Sequence, residues 1–182
     1  IKETESPRRN DIISPNGKKA AFIRDHNIWY RDLATGKEEA LTQVGKEDFA
    51  YASTLDGVTD ADTVLWSPDS KSILVAKLDN QRTRSIPLVN YVPTDGGIYP
   101  EFQQRKYSYP SDKHRPEYRL VYINLDVKSP QEFGYPPLPL YGFTGIAKGF
   151  FDSGLGWWSA DSRRAFFIDI SRDSKIVKVI EW

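Results

Sequence analysis

Ile13-Ser14-Pro15-Asn16-Gly17-Lys18-Lys19, Trp66-Ser67-Pro68-Asp69-Ser70-Lys71-Ser72 and Trp158-Ser159-Ala160-Asp161-Ser162-Arg163-Arg164 are three copies of one template. In each, an apolar residue precedes Ser, then Pro or Ala, Asn or Asp, Gly or Ser, a basic residue, and an apolar run. Pro presets φ for a turn, Asn or Asp caps the turn through its own side chain, and the basic residue re-enters at a solvent edge. The template therefore spells a β-hairpin corner, and three copies of it imply a repeated antiparallel unit.

Working outward, the neighbouring runs are of strand length: Ala20 to Ile23, Ile28 to Tyr30, Val64 to Trp66, Ile73 to Ala76, Leu120 to Ile123, Ala165 to Ile168 and Ile176 to Ile180. Gly, Pro, Asn, Asp or Ser stands close to most of them. Aromatics make up 13 % of the 182 residues, alongside 12 Gly and 12 Pro, a composition suited to pleated half-buried surfaces joined by tight turns. The fold class expected is all-β.

The template serines lie 53 and then 92 residues apart, from Ser14 to Ser67 to Ser159. That spacing suits β-propeller blades of about 40 to 50 residues with an insertion or a degenerate blade in the middle. The chain is read as a partial propeller of about three four-stranded antiparallel blades. Blade one covers about 11–44. Blade two covers about 60–126, with strands near Ile73 to Leu78, Ile86 to Val92 and Tyr118 to Leu125 and an insertion at 93–116. A connection runs over 129–149, where Tyr135, Leu140, Tyr141 and Phe143 flank the prolines and call for burial. An incomplete blade three takes 150–182. Three blades fall below the roughly four to eight of known propellers, so the chain reads as truncated from a larger ring. Open blade edges need covering, most simply by self-association with another copy.

Charge and composition exclude several function classes. Lys plus Arg number 25 against 25 Asp plus Glu, so no strong field draws in nucleic acid or an anionic membrane. No run approaches the roughly 18 to 20 apolar residues that span a bilayer. With no cysteine, disulfides, thiolate metal sites and thiol catalysis are all removed. No Gly-x-Ser-x-Gly nucleophile turn occurs, no phosphate loop is present, and the only histidines, His26 and His114, sit in polar turns. Asp56, Asp60 and Asp62 lack the spacing and the closing Glu of a calcium loop, so they read as a solvated acidic loop. No catalytic residue, metal or cofactor is expected in this chain.

One constellation merits carrying forward. Gly45-Lys46-Glu47-Asp48-Phe49-Ala50-Tyr51 lies between two blades, where a propeller presents its inner rim. Carboxylates pair with the ammonium of a peptide amino terminus and an aromatic ring walls it, so Glu47, Asp48 and Tyr51 are the candidate substrate-binding residues.

The run from Ser14 to Gly36 resembles the amino-terminal propeller of the dipeptidyl peptidase IV family, within the prolyl oligopeptidase group of serine peptidases. So do Leu65-Trp66-Ser67-Pro68-Asp69-Ser70, the segment from Arg105 to Pro110 with Arg119 to Asp126, and Trp157-Trp158-Ser159-Ala160-Asp161 with Ser171-Arg172-Asp173. The resemblance covers nearly the whole chain. It implies an eight-bladed ring capping an α/β-hydrolase domain that holds the triad, outside this chain. It also implies peptide substrates and a periplasmic or secreted setting. The family holds the substrate amino terminus with two adjacent glutamates shortly before the Trp-Ser-Pro turn, yet residues 53–62 contain no glutamate. The adjacent pair Glu38-Glu39 falls on the last strand of blade one, and no functional residue transfers. Two functions are thus expected: a non-catalytic propeller fragment that gates and orients peptides for a hydrolase domain of the same protein, or a propeller scaffold for protein–protein interaction.

Overall fold

The computed structural model describes residues 11–53, 64–91, 97–139, 155–171, 173 and 175–182. Every regular element among them is a strand, and the strands form four antiparallel sheets. The acidic loop of Asp56, Asp60 and Asp62, and Leu140, Tyr141 and Phe143 of the connection, lie outside the described residues.

Sheet one is a meander of β1 (Ile12–Ile13), β2 (Lys19–Arg24), β3 (Asn27–Asp32) and β4 (Glu38–Ala40). Sheet two is built around β7 (Ser72–Asp79). On one flank β7 pairs β6 (Val64–Trp66) through its first half and β5 (Phe49–Tyr51) through its second. On the other it pairs β10 (Glu117–Asn124) over eight residues, from Glu117↔Asp79 to Asn124↔Ser72. Beyond β10 lie β11 (Pro130–Glu132) and β12 (Leu138–Pro139). Sheet three is β13 (Gly156–Trp158), β14 (Ala165–Ile170) and β15 (Val177–Glu181).

The strand expected at Ile86 to Val92 pairs elsewhere. Among the described residues β8 (Ser85–Asn90) pairs only with β9 (Glu101–Lys106), as a two-stranded hairpin outside sheet two. Since β7 meets β10 directly, the excursion between them runs over 80–116. Leu88, Tyr91, Ile98, Tyr99 and Phe102 of this hairpin and its loop are exposed. Residues 130–139 of the expected connection supply the outer edge of sheet two, where Leu138 and the half-buried Tyr135 pack on its apolar face.

Alternate residues of β7 enter two different cores, as the period of two requires. Ile73 and Val75 join Ala21, Ile28 and Leu41 of sheet one, with Tyr51, Trp66, Val121 and Ile123. Leu74, Ala76 and Leu78 join Tyr118, Leu120 and Phe133, and meet Ala165 and Phe167 of sheet three. Sheet two is therefore clasped between sheets one and three. Each fully buried aliphatic side chain here contributes about 1.5–3 kcal/mol. Tyr135 adds an edge-on ring contact to Phe167 at 5.4 Å and donates its hydroxyl to Asp169 at 2.6 Å.

The three template turns adopt one hydrogen-bond cage. Ser14, Ser67 and Ser159 each donate Oγ–H to the carbonyl or carboxylate oxygen of Asn16, Asp69 or Asp161, at 2.9, 2.6 and 2.5 Å. Each Oγ also accepts the backbone N–H five residues on, from Lys19, Ser72 and Arg164, at 3.0, 2.9 and 3.0 Å. Gly17, Ser70 and Ser162 hold the left-handed corner at φ 69, 61 and 60°. A fourth cage joins β14 to β15, where Ser171 donates to Asp173 at 2.7 Å and accepts from Ile176 at 2.9 Å. The turns also touch in series: Asn16 N–H donates to Ser70 Oγ at 3.1 Å, and Asp69 N–H to Ser162 Oγ at 3.0 Å.

Ser67 is fully buried and its N–H donor partner Ser72 is 6 % exposed, so Ser67→Ala leaves a buried donor without an acceptor. We expect a loss of about 1–3 kcal/mol in urea unfolding. Ser159→Ala, on an exposed corner where water replaces the bond, is expected to lose under about 1 kcal/mol. Equal losses in the two variants would contradict the cage as the origin of the difference.

Candidate functional site

The chain passes from sheet one to sheet two through 42–51, and a buried amide fixes this strap. Asn27 Oδ1 accepts from Gly45 N–H at 2.8 Å and from Thr42 Oγ at 3.0 Å, while Asn27 Nδ2 donates to Asp25 O at 2.7 Å. Thr42 Oγ in turn accepts from Ile28 N–H at 3.0 Å. The Asp25-His26 corner of the β2–β3 hairpin has φ of 49 and 63°, as a two-residue hairpin needs. This aims His26 O at Tyr51 N–H, 3.0 Å away. Gly45 lies so close to that hairpin that a Cβ would stand 2.1 Å from His26 O. Only glycine fits there.

Lys46 and Phe49 then exchange both backbone bonds, at 2.9 and 2.8 Å, closing a turn with Glu47 and Asp48 at its corner. The structure thus places the three candidate residues differently. Glu47 is exposed, and Asp48 is partly exposed with its carboxylate 3.4 Å from Lys106 of β9. Tyr51 is 3 % exposed and belongs to the core between sheets one and two. Burial, with Glu132 as a lesser contribution, pushes its phenol above the ordinary value.

A cation that sequence reasoning passed over sits beside them. Lys77 of β7 is 3 % exposed, with its ammonium 4.3 Å from the Phe49 ring centroid and 5.8 Å from that of Tyr51. It is ion-paired to Glu132 of β11, whose other oxygen lies 3.7 Å from Arg119. The available signal was a single lysine within the run Ser72-Ile73-Leu74-Val75-Ala76-Lys77-Leu78, because a buried charge requires a partner. Its partner, 55 residues on, has no local signature.

Glu38 and Glu39 are taken up by structural ion pairs. Glu38 meets Arg24 at 2.6 Å and the fully buried Arg31 at 3.3 Å, and Arg31 also pairs with Asp11. Glu39 holds Lys37 at 2.6 Å and Lys128 of the β10–β11 turn, and accepts from Tyr30 at 3.2 Å. Hydrogen bonds from Lys128 and Lys37 bring the Glu39 carboxyl down to about 2. His26 occupies its hairpin corner. His114 is exposed and lines, with Asp79, Arg82, Arg115 and Glu117, a polar hollow of ≈ 70 Å³ at the end of β7 that carries both charge signs. Among the described residues no group of three or more His, Asp or Glu side chains is arranged to hold a metal ion, and no helix is long and apolar enough to cross a membrane.

The family model of the dipeptidyl peptidase IV N-terminal region matches residues 1–181. Two curated relatives, each named "Probable dipeptidyl-aminopeptidase B", come from Aspergillus oryzae and Aspergillus flavus. Each is 26 % identical over 109 residues, covering 53 % of this chain and 12 % of the relative. The crystal structure of Porphyromonas gingivalis dipeptidyl peptidase 4 is similar in fold, with a TM-score of 0.67 at 18 % identity, over 94 % of this chain and 23 % of that one. The chain thus spans a minor part of the length of the proteins it matches.

Two outcomes test this geometry. Gly45→Ala forces a Cβ against backbone and is expected to destabilise by about 1–3 kcal/mol, read as a lower denaturant midpoint. The depressed Glu39 carboxyl contributes stability that is present above its ordinary 4.5 and is lost as pH falls toward about 2. The melting temperature of Glu39→Gln should therefore lie below that of the parent at pH 6, with the gap closing between pH 4.5 and 2. A pH-independent gap would remove the ion pairs as its cause.

Proposed function

The chain belongs to the family of the dipeptidyl peptidase IV N-terminal region, and on that premise we propose that it is the non-catalytic propeller sector of a serine peptidase. In this reading sheets one, two and three are successive blades of a ring. The ring admits and orients peptides for an α/β-hydrolase domain outside this chain, where the reactive serine resides. The observation that carries the reading is the family match over residues 1–181. The face-to-face stacking of the three sheets in chain order, with the serine turns bonded in series, supports it.

Glu47 and Asp48 are proposed as the acidic contacts for a peptide amino terminus. They stand on a turn corner whose position Asn27 and Gly45 fix. Tyr51 backs this corner from the core beneath. Since Glu38 and Glu39 are held by four basic side chains, they are unsuited to the same task. A second reading, a scaffold for protein contacts, is favoured by the β8–β9 hairpin, whose Tyr91, Ile98, Tyr99 and Phe102 are each more than three-quarters exposed.

The proposal expects the 182-residue chain to release no chromophore from aminoacyl-prolyl substrates. Turnover by this chain that a serine-directed inhibitor abolishes would refute it. In the full-length protein, Glu47→Gln with Asp48→Asn is expected to raise KM while kcat changes little, because uniform binding is lost.

A further inference from the structure

The face of sheet two that meets sheet one changes character along β7 and β10. The register sets Ile73 opposite Ile123, Val75 opposite Val121, Lys77 opposite Arg119 and Asp79 opposite Glu117, and the two side chains of each such pair share a face. Two apolar rows are thus followed by a row of cations and then a row of anions. Like charges directly opposed destabilise a sheet, so each charged row calls for a counter-charge. The cationic row has one, since Glu132 is ion-paired to Lys77 and lies 3.7 Å from Arg119.

The anionic row has none among the described residues. Asp79 and Glu117 are half-buried; Asp79 Oδ1 accepts from Gln81 N–H at 3.2 Å, and neither carboxylate forms an ion pair with a described residue. Both border the hollow of ≈ 70 Å³ at the end of β7, together with the exposed Arg82, His114 and Arg115. His114, Asp79 and Glu117 are not arranged to hold a metal ion. A primary ammonium suits the two carboxylates better, because its three N–H donors reach more than one acceptor. The two guanidiniums at the same hollow suit a carboxylate, which an arginine fork binds through two parallel bonds.

We propose that this hollow binds a small free amino acid as its zwitterion, with the ammonium on Asp79 and Glu117 and the carboxylate on Arg82 and Arg115. The volume selects a ligand of a few heavy atoms, for which glycine is the probe. The place matters as well. β7 ends at Asp79 and β10 begins at Glu117, so the excursion over 80–116 leaves and rejoins sheet two at this hollow. A ligand that joins Asp79 and Arg82 to Arg115 and Glu117 staples the two ends of that excursion together. The inference goes beyond the peptidase reading and does not depend on it.

Amide hydrogen exchange of the full-length protein, read over 79–84 and 113–118 during a glycine titration, tests this. A ligand that binds only the closed form divides local opening by one plus the ratio of its concentration to its dissociation constant. Exchange in both segments is therefore expected to slow about tenfold once glycine stands at about ten times that constant. Glycinamide, which keeps the ammonium and lacks the carboxylate, and acetate, which has the carboxylate alone, are expected to leave exchange unchanged at the same concentration. Asp79→Asn with Glu117→Gln is expected to abolish the effect of glycine without lowering the melting temperature, because an opposed like-charge pair is removed. Arg82→Gln with Arg115→Gln, on exposed side chains, is expected to abolish it too. Unchanged exchange in glycine overturns the proposal. So does equal slowing by glycinamide, which would make this a site for an ammonium alone, and so does slowing by glycine that survives in either double variant.

Discussion

Strand β7 has no solvent face, and the rest of the molecule is arranged around that constraint. Seven of its eight residues are buried, so both sides of sheet two must be covered. Ile73 and Val75 require sheet one, and Leu74, Ala76 and Leu78 require sheet three. A strand buried on both faces reads as a nearly continuous apolar run, which is how Ile73 to Ala76 reads. Lys77 is the exception, and its position explains much of the local architecture. An ammonium enclosed by the sheets needs a counter-charge and polarisable walls, which Glu132, Phe49 and Tyr51 supply. In this way β5 on one edge and β11 on the other are bound to the same cation.

The serine cages do a different job. Apolar packing between sheets is not directional, so it does not by itself decide where one sheet stops sliding over the next. Each cage fixes the entry angle of its hairpin, and the serial bonds from Asn16 and Asp69 set one hairpin against its neighbour. The Trp66 indole adds a further directional tie by donating to Ile12 O at 2.8 Å. Lys128, reaching from sheet two to Glu39 of sheet one, adds a charged one.

Much of this was legible in the residues. The template marks the hairpin corners, because Ser and Asn or Asp bond the backbone within five residues of themselves. The apolar runs mark the strands, since alternation is a property of adjacent positions. The β8–β9 hairpin was harder to read: Ile86 to Val92 has the pattern of a sheet strand, yet β7 and β10 pair without it. Nothing in the composition of 85–106 says which neighbour its backbone will bond. At the candidate site, the acidic turn of Glu47 and Asp48 was visible as a charged stretch, whereas the burial of Tyr51 and the amide of Asn27 beneath it were not. Those depend on a hairpin that folds back from 18 residues away.

What the amino-acid order determined alone is local: an all-β chain of short strands and the corners at Ser14, Ser67 and Ser159. These follow from capping within a turn and from the two-residue period of a strand. Tertiary structure decided which strands are neighbours and which charges are already committed. Lys77 finds Glu132 across 55 residues and Lys128 finds Glu39 across 89. Contacts at that separation form only after the sheets stack, because closing such loops is entropically unfavourable until apolar burial offsets it.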